Sequence, residues 1–264
     1  MDSKVLYNQE GRIGIITLNN PEKGNPIDME TMRGLIDAYK TSAKNNDRIV
    51  LYMAKGKHFT VGDNLKEGFE IMTNPGLRSE GIETVLNWQE LTSTMLAHPG
   101  IIIVGYHGWV IGGGYEHTLW CDFKIAAKST TFMLPELSMG IFFSNASTKL
   151  LPHLVGLNKA KEIMMLGDMF GASEAKELGL VHQVCADEKL EKRMRRLAQK
   201  LLEKDELALK RAKEMLLYAL DSPLDEVLYK ETRIMIETAQ SPEAKKRVGE
   251  FVKKSKKEGE KKEE

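Results

Sequence analysis

The chain has 264 residues, 42% of them hydrophobic and 29% charged, with 38 Lys+Arg against 38 Asp+Glu. That length carries one large core, or a domain with an appendage, and the balanced charge supplies no field that would draw the chain to nucleic acid or an anionic membrane. No apolar run approaches the roughly 18 residues of a membrane span, and Cys121 and Cys185 stand far apart outside any CxxC pair, which points to reduced structural thiols.

The opening MDSKVLYNQEG has neither the apolar core of a signal peptide nor an Arg-rich transit pattern, so a cytoplasmic setting is expected. Residues 5–8 and 12–18 read as a β-hairpin turning at Glu10-Gly11. Asp28 is placed to cap a helix whose apolar residues Met29, Met32, Leu35, Ile36, Tyr39 and Ala43 share a face. A buried strand follows at 49–54, then a loop, then a Gly/Pro-punctuated stretch at 68–81 expected to be a lid-like loop. A helix is predicted over 82–97, and IIIVGYHG reads as another buried strand. Next come a triglycine leading into a helix at 115–120, short strands at 123–127 and 131–134, and a strand at 180–185. The rest is helical to about 254, with Met194, Leu197, Leu201 and Leu202 on one helix and Leu216, Leu217 and Leu220 on another. The last ten residues carry charge without apolar anchors and are expected to be a solvated, disordered tail. Strand–helix units followed by helices give an α/β class.

The triglycine Gly112-Gly113-Gly114 raises the question of function, because each glycine weakens regular structure by about 0.5–1 kcal/mol. A phosphate-binding P-loop would need a following Lys-Ser/Thr, and a dinucleotide fingerprint a further glycine three residues after Gly114; neither is present. Close helix–sheet packing is one remaining reason. The other is an oxyanion hole, in which unpaired backbone N–H groups at a helix start receive developing negative charge without meeting a Cβ. Six histidines show no HxH or HxxxH spacing, so no metal site is expected.

Five segments in order carry a family resemblance: NPEKGNPID from Asn20, FTVGDNLKE from Phe59, HGWVIGGGYEHTLWCD from His107, FMLPELSMGI from Phe132 and ASEAKELGLVHQV from Ala172. They resemble the crotonase, or enoyl-CoA hydratase/isomerase, superfamily over about residues 4–254. The resemblance implies a crotonase-like spiral of ββα units over 1–195, a C-terminal helical trimerisation region over 196–254 and the charged tail at 255–264. It implies an acyl-CoA thioester as substrate, coenzyme A entering only as part of it, no separate cofactor, and a homotrimer or dimer of trimers.

By position, the resemblance makes the backbone N–H groups of Asp63 and Gly113 the oxyanion donors. Glu116 becomes the group that activates water and Glu136 the donor of the α-carbon proton. Two carboxyls in one low-dielectric pocket do not both ionise easily, which keeps one available as an acid. Lys23, Gly62, Asn64, Leu65, Lys66, Gly112 and Gly114 fall in segments that border the CoA thioester in the family. Trp88, Met72 and Met133 are candidates for an acyl pocket.

Two departures bear on the reaction. After Glu136 the family continues with small residues and turns, whereas GIFFSNASTK places Phe142 and Phe143 there, predicting a narrowed acyl pocket and a short or compact acyl group. Asp63 stands where the family has alanine, and its carboxylate adds an anion beside a developing enolate, which opposes the chemistry unless neutralised or turned away. The leading expectation is hydration of a 2-enoyl-CoA. The alternatives are double-bond isomerisation, hydrolysis of a cyclic oxo-acyl-CoA, or a catalytically silent CoA-binding subunit.

Overall fold

The computed structural model describes residues 3–263, with side chains described to 253. Strands β1 (Val5–Glu10) and β2 (Ile13–Leu18) form the expected antiparallel hairpin. Asp28 caps α1 (Met29–Lys44), accepting from the Thr31 N–H at 2.9 Å. The face of α1 bearing Met32, Leu35, Ile36 and Tyr39 is buried. Strand β3 (Ile49–Ala54) follows, then α2 (Leu65–Thr73) and α3 (Arg78–Ala97). Next come β4 (Ile101–Tyr106), β5 (Trp109–Ile111), α4 (Gly113–Glu116), β6 (Phe123–Ala127) and β7 (Thr131–Met133). Helices α5 (Ser147–Val155) and α6 (Leu157–Lys161) lead to β8 (Phe170–Gly171), α7 (Ala172–Glu177), β9 (Gln183–Cys185) and α8 (Leu190–Leu202). The chain closes with α9 (Glu206–Tyr218), α10 (Leu224–Gln240) and α11 (Pro242–Glu263).

One sheet has the order β1-β2-β3-β4-β6-β9 and a second the order β5-β7-β8. Every pairing in the first sheet beyond the hairpin is parallel. Single bridges, Ile27 to Asp63 and Thr60 to Val110, extend the second sheet through residues 60–63 to residue 27. Strands β3, β4 and β6 therefore each run on into a segment of the second sheet, and the chain winds as a spiral. Its turns are locked by rings that lie between the sheets. Tyr52 meets Phe59 at 5.2 Å, Phe59 meets Tyr106 at 5.4 Å, Tyr106 meets Phe132 at 5.2 Å and Phe132 meets Tyr115 at 4.9 Å, all fully buried. Helix α8 covers β4 where Gly105 leaves room: a Cβ there would lie 2.2 Å from Met194 Sδ.

The structure corrects several local expectations. Residues 68–81 are largely helical, belonging to α2, a 3₁₀ turn at Pro75–Leu77 and the start of α3. Gly68 and Gly81 sit inside helices, where glycine costs only about 1 kcal/mol; the break is confined to Asn74-Pro75-Gly76, with Asn74 Oδ1 accepting from the Gly76 N–H. The triglycine helix starts at Gly113 and tightens into a 3₁₀ turn at His117–Trp120. The strand expected at 180–185 is only Gln183–Cys185. Helix α11 takes in residues 255–263 of the charged tail.

The chain divides into two compact units, residues 1–199 and 200–264. In the second, Asp205 caps α9 through the Ala208 N–H, and Arg211 joins α9 to α10 by pairing with Glu237 at 2.7 Å. Among the described residues no helix is long and apolar enough to cross a membrane.

Candidate active site

The site is built at the carboxyl ends of neighbouring strands. The Thr60 N–H bonds Trp109 O at 3.0 Å and the Gly112 N–H bonds Met133 O at 3.0 Å, so residues 60, 110 and 132 lie side by side. Beyond these bonds the three segments turn out of the second sheet and present Asp63, the triglycine and Glu136 at one edge.

Each glycine has its own reason. Gly112 takes φ 58 and ψ −142, a region essentially reserved for glycine. A Cβ on Gly113 would lie 2.8 Å from Trp88 Cζ2, and one on Gly114 would lie 2.4 Å from Thr60 Cγ2. Close packing thus accounts for Gly114, while the conformation of Gly112 turns the chain into α4. The fully buried His117 steadies that turn: Nδ1–H donates to Gly113 O at 3.0 Å, leaving Nε2 to accept from the Tyr52 hydroxyl at 3.2 Å. Burial holds its imidazole neutral, pushed down to about 4.

The two glutamates are both buried, 1% and 3% exposed, yet unlike in surroundings. Glu116 is held by the loop after Glu136. The Ser147 hydroxyl donates to its Oε2 and the Ser144 N–H to its Oε1 at 3.4 Å. Burial raises its pKa, and these donors offset only part of that rise. Between Asn145 and Ser147, Ala146 sits at φ +54, a conformation uncommon without glycine. Glu136 has no hydrogen-bond partner on either oxygen among the described residues. Burial first, then the charges of Glu116 and Asp63, push its carboxyl up to about 8. One carboxyl is surrounded by donors that favour its anion, and the other has none and is pushed toward keeping its proton.

Asp63 changes the expected oxyanion site. Its Oδ1 accepts from Trp88 Nε1–H at 3.0 Å and its Oδ2 from the Gly113 N–H at 3.3 Å. One of the two N–H groups expected to hold the oxyanion is therefore already bonded to the Asp63 side chain. Burial raises the Asp63 carboxyl, and the Trp88 and Gly113 donors offset only part of that rise. The position a Cβ would take on Gly112 is 3.3 Å from Glu136 Oε1 and 3.6 Å from Asp63 Oδ2, so these carboxyls face the same space.

The remaining expected residues divide. The segment of residues 24–27 is zipped to that of 61–64: the Val61 N–H bonds Gly24 O at 3.0 Å and the Ile27 N–H bonds Gly62 O at 2.8 Å. Lys23 and Lys66 are exposed and Leu65 is 58% exposed, while Asn64 reaches Glu67 rather than the triglycine. Phe142 is 72% exposed and so fills no interior volume; only Phe143 packs on the core, edge to face with it at 5.4 Å. Trp88 is a partner of Asp63, and Met72 instead lines an apolar hollow of about 530 Å³ between α2 and α3 that none of the three carboxyls borders. Sequence reading missed Trp88 as a donor, Ser147 and His117; only the departure from family pattern at residues 140–149 hinted at Ser147.

Comparison with known proteins places this geometry. The sequence pattern described as enoyl-CoA hydratase/isomerase matches residues 8–262. The chain is 34% identical over 207 residues to a hydroxycinnamoyl-CoA hydratase-lyase of Pseudomonas fluorescens, covering 77% of this chain and 74% of that one. It is 27% identical to a short-chain-enoyl-CoA hydratase of Clostridium acetobutylicum over 97% of both chains. Its fold matches the crystal structure of an enoyl-CoA hydratase from Bacillus anthracis with TM-score 0.88 at 26% identity, covering 95% of this chain and 96% of that one.

Proposed function

The chain belongs to the enoyl-CoA hydratase/isomerase family and has the crotonase fold, and from that premise we propose that it adds water to a 2-enoyl-CoA thioester. The observation that carries this reading is the contrast between the two glutamates. Glu116, with its hydroxyl and backbone donors, takes a proton from water as the water oxygen bonds the β-carbon. The π electrons move toward the thioester oxygen, giving an enolate. Glu136, kept protonated by burial, delivers its proton to the α-carbon and the carbonyl re-forms. The pair ends with Glu116 protonated and Glu136 ionised, and the proton returns before the next turnover. Preorganised N–H donors at the enolate oxygen are worth roughly 2.7–4 kcal/mol each where one has been removed in other enzymes; here they would be Asp63 and Gly113.

A panel of acyl-CoA thioesters followed by mass spectrometry tests the reading. Hydration adds one water to the substrate, isomerisation leaves the mass unchanged, and hydrolysis of a cyclic oxo-acyl-CoA opens the ring with a gain of one water in the absence of a double bond. A panel in which no enoyl-CoA gains water refutes hydration. The second reading, a silent CoA-binding subunit, is favoured by the hold of Asp63 on the Gly113 N–H; retained binding with no turnover of any thioester would select it. We further propose assembly as a trimer or dimer of trimers, supported by exposed apolar residues on the C-terminal helices such as Leu224, Leu228, Met235 and Ile236. Light scattering that returned the single-chain mass of 29.8 kDa at micromolar concentration would reject it.

A further inference from the structure

The carboxylate of Asp63 sits where the proposed reaction needs an empty place. A thioester oxygen entering the site would take the Gly113 N–H and the Asp63 N–H, and Oδ2 of Asp63 is already on the first at 3.3 Å. Trp88 Nε1–H, at 3.0 Å from Oδ1, holds the group in that seat. Close to it lies Glu136, 3% exposed, with Oε1 3.3 Å from where a Cβ of Gly112 would stand and neither oxygen hydrogen-bonded among the described residues. A carboxylate oxygen resembles an enolate oxygen in charge and in its appetite for N–H donors.

We propose that Asp63 is a resident occupant of the oxyanion seat, held by Trp88 and Gly113, and that a CoA thioester binds productively only by displacing its carboxylate from the Gly113 N–H. The inference rests on the reading of this site as a thioester site. It makes Asp63 a determinant of affinity rather than a catalytic residue. The occupied form is the resting state, and apparent affinity is the intrinsic affinity multiplied by the fraction of molecules in which the seat is empty. On displacement Trp88 Nε1–H is released too, becoming a third donor near the thioester oxygen.

The test measures binding, so it remains informative even if the protein hydrates nothing. The purified full chain is titrated with acetoacetyl-CoA, whose enolate absorbs in the near ultraviolet, and Kd and enolate absorbance are read together. Asp63→Ala should lower Kd by about tenfold to a hundredfold, the range expected for hydrogen bonds to a charged group, with a stronger enolate band. Asp63→Asn keeps an acceptor oxygen of the same shape, so it should tighten binding only a few-fold, and it serves if the alanine variant does not fold. Equal tightening in both variants would mean that loss of charge alone is responsible, and overturns the proposal. So do an unchanged Kd in the variants and absence of binding by all three proteins.

Discussion

Replacing Glu136 by glutamine separates a buried proton donor from an ordinary glutamate. Its carboxyl is raised from 4.5 to about 8, so below about pH 4.5 it is protonated in both the folded and the unfolded chain. Between about 4.5 and about 8 the unfolded chain releases the proton while the folded chain keeps it. Raising the pH through this window therefore favours unfolding, and above about 8 the penalty is constant. At about 1.4 kcal/mol per pH unit the full loss has an upper bound of roughly 5 kcal/mol. Glu136→Gln carries no such penalty, so denaturant titrations from about pH 5 to about pH 9 should show the variant gaining stability relative to the parent as pH rises. Hydration by the parent should fall as pH passes through about 8, where the donor is lost, and the variant should be slower by roughly 10²–10⁴-fold. A stability difference that stays constant across that range, or hydration by the variant at the parent's rate, would refute the reasoning.

Ser147→Ala removes the hydroxyl that donates to Glu116; without it the Glu116 pKa rises, so the acid limb of the kcat/KM profile should move to higher pH and the rate fall by about tenfold. Gly114→Ala places a Cβ 2.4 Å from Thr60 Cγ2, and chemical denaturation should report a loss of about 1–3 kcal/mol. Phe142→Ala, at a 72% exposed position, should change stability by no more than about 0.5 kcal/mol, whereas Phe143→Ala should cost about 1–3 kcal/mol. Of the two, only the Phe143 variant should shift the kcat/KM ratio between long and short enoyl-CoAs.

What the sequence discloses is what neighbouring residues decide. The β1–β2 hairpin and the Asp28 cap depend on residues a few positions apart, and the structure contains both. The five ordered segments identify the spiral because its turns repeat strand, strand and helix. The helix α2 was hidden because Gly68 reads as a breaker when nothing else is known, yet a single glycine is a small cost against a continuous run of backbone bonds. The bond between Asp63 and the Gly113 N–H could not be read at all. It needs Trp88, 25 residues beyond Asp63, and Gly113, 50 residues beyond, to arrive at one place through the winding of the spiral. The same holds for Ser147 and Glu116, 31 residues apart. Phe142 and Phe143 illustrate direction: adjacent in sequence, they point to solvent and to the core, and only the path of the loop distinguishes them.

The parallel register that sets Thr60, Val110 and Phe132 side by side also governs how such a protein can change. Asp63, the triglycine and Glu136 hang from main chain whose position is fixed by strand pairing, so a new side chain at any of these addresses inherits the old location. Single substitutions can then exchange one chemistry for another without refolding the frame, as the aspartate at position 63 illustrates. Changes of length behave oppositely. One residue inserted or removed within β5 or β7 would turn every following side chain to the other face of the sheet and separate the carboxyls at a stroke. The bonds to Glu116 begin at Ser144, so a change of length is better absorbed at 140–143, past β7 and ahead of that grip, where Phe142 is exposed.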